Sequence, residues 1–184
     1  MVEDLAYINR TGKLEHMDIK KLSNLLDKKF EVRSVKEDWS WMITENIKPY
    51  LKPSFLKNPV GLMLENSNQV ERVFTACFPS NFVIDSIIQK NGQNSLLVVK
   101  HPFNWDGLGE GFIQFSNETL AKLKENTISI YSLHTPFDKI RDETDLKSTS
   151  VALAKKFGFD VRTSFLEDPI NHGLKVGVVV GTSF

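Results

Sequence analysis

Two short stretches of this sequence place ligating side chains where the chain leaves an apolar run. They are Lys100-His101-Pro102, after Ser95-Leu96-Leu97-Val98-Val99, and His134-Thr135-Pro136-Phe137-Asp138, after the run from Thr127 to Leu133. A neutral imidazole and a carboxylate are complementary ligands for a divalent ion such as zinc or iron, which makes His101 and Asp138 candidate metal ligands. His134, beside the second motif, is the candidate for proton transfer or for orienting a ligand by a hydrogen bond. A hydrogen-bonded structural histidine is the competing reading for each imidazole, and two ligands alone do not close a metal site. Asp106, Glu110 and Asp142 are loop carboxylates of the kind that more often serves solubility. His172 lies in the turn-forming Asn171-His172-Gly173, and His16 reads as a surface residue.

These side chains can act together only if secondary structure carries them to one place. In an open α/β sheet, ligands bind beyond the carboxyl ends of the strands. Asp18 is a candidate N-cap for a helix in which Ile19, Leu22, Leu25, Leu26 and Phe30 recur at helical spacing. The aromatic-rich stretch from Trp39 to Phe55 is interrupted by Pro49 and Pro53 and followed by Pro59, which predicts irregular packing over a core in preference to an aromatic ligand cage. Strands are predicted over 60–64, 70–78, 95–99 and 127–133. Between them fall a helix from Ser80, with Phe82, Val83, Ile87 and Ile88 inward and a stop at Asn91-Gly92, and a helix capped by Ser116. Val151, Leu153, Ala154 and Phe157 mark a further helix ending at Gly158, before two last strands, Phe159 to Phe165 and Leu174 to Val180. This order predicts an α/β fold, a layered, mixed or partly parallel sheet with helices on its faces. Residues 1–16 have no period and read as an N-terminal arm, with 17–184 as a single unit. Gly107-Leu108-Gly109-Glu110-Gly111 lacks the trailing Lys-Ser/Thr of a phosphate loop and reads as a covering loop.

Composition narrows the classes of function. Twenty-three Lys and Arg balance twenty-three Asp and Glu, which removes the broad positive field of a general nucleic-acid binder. Residues 13–36 carry seven basic against four acidic side chains, the pattern of a solvated helix face. The lone Cys77 cannot form an internal disulfide and lies in an apolar run, so it reads as a buried core residue in a reducing compartment. The acidic start, Met1-Val2-Glu3-Asp4, differs from a secretory signal, and no run approaches the roughly 18 apolar residues of a membrane span. The expectation is a cytoplasmic protein with no membrane partner.

Taken in order, Asn58-Pro59-Val60-Gly61-Leu62, Val70-Glu71-Arg72-Val73, Lys100-His101-Pro102 and His134-Thr135-x-x-Asp138 resemble the Nif-three-like family. Its members are also described as GTP cyclohydrolase I type 2-like or dinuclear-metal-centre hexameric proteins. The resemblance implies an α/β fold, a toroidal homo-hexamer, two divalent metals in each subunit and, if the protein is an enzyme, metal-dependent hydrolysis of a nucleotide-like substrate. It carries metal-ligand roles to His101 and Asp138. The family's first motif reads His-His-Pro, however, and Lys100 stands at the other ligand position. A protonated lysine has no lone pair to donate and repels a neighbouring ion. The family also draws on a His and a Glu from a later segment, and no such pair is found in this sequence; His172 has no Glu after it. Two readings of Lys100 follow: its ammonium replaces one ion's charge in a one-metal or metal-free pocket that attracts phosphate-bearing anions, or it points into solvent from a site that has lost its chemistry. The alternative to a hydrolase is a non-catalytic oligomeric or partner-binding module.

Overall fold

The computed structural model describes residues 17–105 and 111–182. The arm at 1–16, with His16, and the loop carboxylates Asp106 and Glu110 lie outside the described residues, as does most of the glycine-rich loop. A short strand β1 (Met17–Asp18) leads into helix α1 (Ile19–Phe30), where the Asp18 carboxylate accepts hydrogen bonds from the backbone N–H groups of Lys20 and Lys21. That cap satisfies donors that have no partner within the helix. From Val32 to Tyr50 the chain makes single 3-10 turns, the last of them holding Pro49, before α2 (Pro53–Lys57), which Pro53 opens.

The elements that follow alternate: β2 (Gly61–Leu64), β3 (Gln69–Val70), β4 (Arg72–Ala76), α3 (Asn81–Gln89), β5 (Ser95–Val99), β6 (Asn104–Trp105), β7 (Phe112–Ile113), α4 (Asn117–Glu125) and β8 (Ile128–Ser132). The main sheet runs β2-β8-β5-β4; β4, β5 and β8 are parallel, and β2 is antiparallel to β8. The chain ends with α5 (His134–Asp138), α6 (Thr149–Lys156) and the strands β9 (Asp160–Glu167) and β10 (Lys175–Gly181). These last strands pair antiparallel as a separate two-stranded ribbon. The α/β fold with a mixed sheet is the predicted one.

Every residue of β5 and β8 is buried, as expected of central strands covered on both faces. Side-chain alternation divides them between two cores. Leu97, Val99, Ile128 and Ile130 pack with Phe55, Ile84, Ile87, Leu120 and Leu123, whereas Leu96, Val98, Tyr131 and Leu133 pack with Ile19, Leu22, Val32 and Val35. The sheet therefore lies between α1 on one side and α3 with α4 on the other. Gly61 opens β2 at φ +88°, a conformation that side-chain-bearing residues rarely adopt, beside Asp27 and the Tyr131 hydroxyl. That hydroxyl donates to Asp27 Oδ1 at 2.5 Å, and burial, reinforced by the Asp27 carboxylate, pushes its pKa upward.

Three sequence expectations are corrected. Cys77 is exposed, because it follows β4, the sheet's edge strand, whose residues alternate between partly buried and exposed. Phe82 is 81% exposed, since the first turn of α3 carries it past the sheet while Ile84 and Ile87 face inward. In α6 the core-facing side chains are Val151 and Ala154; Leu153 and Phe157 lie on the open face.

Candidate functional site

The parallel strands β5 and β8 end side by side and deliver both motifs to one sheet edge. The ladder runs past β5, with Lys100 N–H donating to the Ala76 carbonyl and His101 N–H to the Cys77 carbonyl. Past β8, Leu133 N–H donates to the Val99 carbonyl and the chain turns into the single-turn helix α5, which begins at His134 and ends at Asp138. Lys100, His101, His134 and Asp138 are thus brought into one cluster.

Within it the ion pair is internal. Lys100 Nζ lies 2.8 Å from Asp138 Oδ1, and about a quarter of each side chain is exposed. Lys100 therefore turns onto the carboxylate, not into solvent. His101 stacks on Phe78 (ring centroids 4.7 Å apart, interplanar angle 12°), and its ring centre is 4.9 Å from that of His134. Trp39 meets His134 edge to face at 5.3 Å and Phe112 at 4.9 Å. The stretch around Trp39 belongs mainly to the core, where Trp39, Met42, Ile47, Leu51 and Phe55 are buried, in agreement with irregular packing. Trp39 Nε1 and His101 Nδ1 are buried with no hydrogen-bond partner among the described residues.

The residue that sequence reasoning missed is Glu37. Its side chain is only 4% exposed. One carboxylate oxygen accepts the Thr135 N–H at 2.6 Å, and the other lies 3.3 Å from His134 Nδ1. Asn58 fixes this segment, accepting from Glu37 N–H and donating to the Val35 carbonyl. The signal was present only as Asn58 in the first resembling stretch, whose partner is 21 residues away.

Burial foremost, with the neighbouring His134 and the Lys100 ammonium acting in the same direction, pushes the pKa of His101 down to about 4; Asp138 and Glu37 act in the opposite direction. His101 is thus neutral at pH 7. Because its folded value lies below that of an unfolded chain, the unfolded state takes up the proton first, and this group's contribution to stability falls as pH drops from about 6.5 to about 4. NMR titration is expected to show the His101 ring protonating near pH 4; a midpoint near 6.5 would contradict the buried environment.

The two-ion centre implied by the resemblance does not fit these residues. Among the described residues, no three His, Cys, Asp or Glu side chains are grouped to hold one metal ion. The carboxylate expected to serve as a ligand holds an ammonium. His172 is exposed in the turn between β9 and β10, with its ring 3.6 Å from Glu167. Asp142 is exposed and accepts hydrogen bonds from Thr144, which hold its pKa low.

An α/β protein with a mixed sheet whose parallel strands deliver two histidines, one in a loop and one opening a helix, to their carboxyl edge is the class that this geometry defines. The family model of Duf34/NIF3 (NGG1p interacting factor 3) matches residues 42–180, and the chain belongs to that family. No curated protein matches it in sequence. Among solved structures it is similar to protein ybgI, of unknown function, at 20% identity and a TM-score of 0.56, covering 80% of this chain and 50% of that one. It is similar to TTHA1606 from Thermus thermophilus (19% identity, TM-score 0.53, 86% and 53% covered). It is likewise similar to reduced HcgD from Methanocaldococcus jannaschii (18%, 0.54, 85% and 52%). The chain spans about half the length of these three proteins. No described helix is long and apolar enough to cross a membrane.

Proposed function

We propose that this Duf34/NIF3 protein is a binding module in which the Lys100 ammonium takes the place of metal charge at Asp138. The observation that carries the reading is the 2.8 Å Lys100–Asp138 pair. A lysine so placed repels a divalent ion and competes with it for Asp138 Oδ1. The ligand class that suits the cluster is a phosphate-bearing or nucleotide-like anion, its phosphate beside Lys100 and a hydroxyl or N–H of the same molecule donating to His134. Homo-oligomerisation, hexameric by family resemblance, is part of the proposal and is supported by the exposed apolar side chains Leu153, Phe157 and Phe165 of the C-terminal segment.

Mass-spectrometric metal analysis of the purified protein tests this. The expected result is less than one divalent ion per chain. Two stoichiometric ions would overturn the reading and favour a metal-dependent hydrolase of the GTP cyclohydrolase type, with His101 and Asp138 as ligands and His134 moving protons.

A further inference from the structure

We infer that Glu37 is the positioning residue of this site: it holds the His134 imidazole as the tautomer protonated on Nδ1 and leaves Nε2 as a hydrogen-bond acceptor. The inference rests on the reading that the His101–His134 cluster is where the protein binds its ligand. A carboxylate oxygen can only accept, and a neutral imidazole carries one donor and one acceptor nitrogen. With Glu37 Oε2 3.3 Å from Nδ1, the proton of neutral His134 belongs on Nδ1.

The carboxylate cannot swing away freely. Its other oxygen is bound to Thr135 N–H at 2.6 Å, its own backbone N–H is tied to Asn58, and its side chain is almost wholly buried. Thr135 is itself 4% exposed, so releasing that oxygen would strand a buried N–H at the start of α5. The same contact therefore starts the helix that carries Asp138 and sets the proton of the histidine that opens it. A histidine so fixed accepts a hydrogen bond, or a proton, from a ligand hydroxyl or N–H and cannot donate one from Nε2 while neutral. The site thereby selects a ligand with a donor at that point.

Long-range ¹H–¹⁵N spectra of the imidazole nitrogens, recorded on the labelled 184-residue chain at about pH 8, above the ordinary histidine range, read the tautomer directly. The wild-type chain is expected to show His134 protonated on Nδ1. In Glu37→Gln the amide oxygen is retained by Thr135 N–H, which places the NH₂ donor opposite Nδ1, so the proton is expected to move to Nε2. Glu37→Asp, which restores two acceptors, is expected to return it to Nδ1. A wild-type His134 protonated mainly on Nε2 overturns the inference, and this result needs no variant to fold. An unchanged tautomer in a folded Glu37→Gln protein also overturns it. Neither outcome depends on bound metal, so failure here is distinguishable from failure of the metal-free reading.

Discussion

Replacing Arg141 with Met is expected to lower the stability of the protein by about 3 kcal/mol, the lower end of the range for breaking a buried ion pair from one side. The Arg141 side chain is 12% exposed, and all three of its nitrogens are engaged. Nε donates to Glu31 Oε1 at 3.0 Å, one terminal nitrogen to Asp145 Oδ2 at 2.9 Å and the other to the Phe30 carbonyl at 2.9 Å. Met fills much of the same volume but leaves the Asp145 side chain, 5% exposed, with Lys147 Nζ at 3.9 Å as its nearest compensating cation. It also strands the carbonyl that ends α1. Arg141 joins the end of α1, where Glu31 takes a left-handed backbone conformation, to the segment that follows Asp138. Urea denaturation should show the full loss for Arg141→Met and about 0–1 kcal/mol for Lys147→Met, whose ammonium is partly exposed and replaceable by solvent. A loss below about 1 kcal/mol for Arg141→Met would mean that this network is not the strut described.

The largest effect on ligand chemistry is expected from a gain-of-binding variant, Lys100→His. Two unit charges about 4 Å apart interact by about 4 kcal/mol at an effective dielectric constant near 20. Removing the ammonium therefore relieves a repulsion of at least that order against a divalent ion. The substitution also frees Asp138 and adds an imidazole beside His101, completing three potential ligands where the described residues of the wild type group fewer. Zinc affinity measured by calorimetry should rise by about 100-fold or more over wild type. Equal zinc affinity in the two proteins would show that Lys100 does not control ion binding.

The framework of the fold is legible wherever local chemistry and tertiary demand agree. Asp18 and Ser116 cap the helices they precede, because a short polar side chain before a periodic apolar run has a single favourable use. The unbroken Leu96-Leu97-Val98-Val99 run announces a strand buried on both faces. Orientation is less legible in short helices. Phe82 and Leu153 are as apolar as their buried neighbours, and which of them faces the sheet depends on how the helix is seated, a property no local pattern records. The exposure of Cys77 is hidden for a related reason, since an apolar run does not announce that its strand lies at the edge. At the site, Lys100, His101, His134 and Asp138 can be found because they follow buried strands that the fold places side by side. Glu37 cannot: it comes from an irregular loop, and its partners His134 and Thr135 lie 97 and 98 residues away.

The most direct measurement of the central claim is an anomalous-scattering map from crystals of the wild-type protein grown with excess zinc. The account predicts no ion bridging His101 and Asp138, with Lys100 Nζ within hydrogen-bonding distance of the Asp138 carboxylate. Two anomalous peaks between those side chains, with the Lys100 side chain displaced, would contradict it.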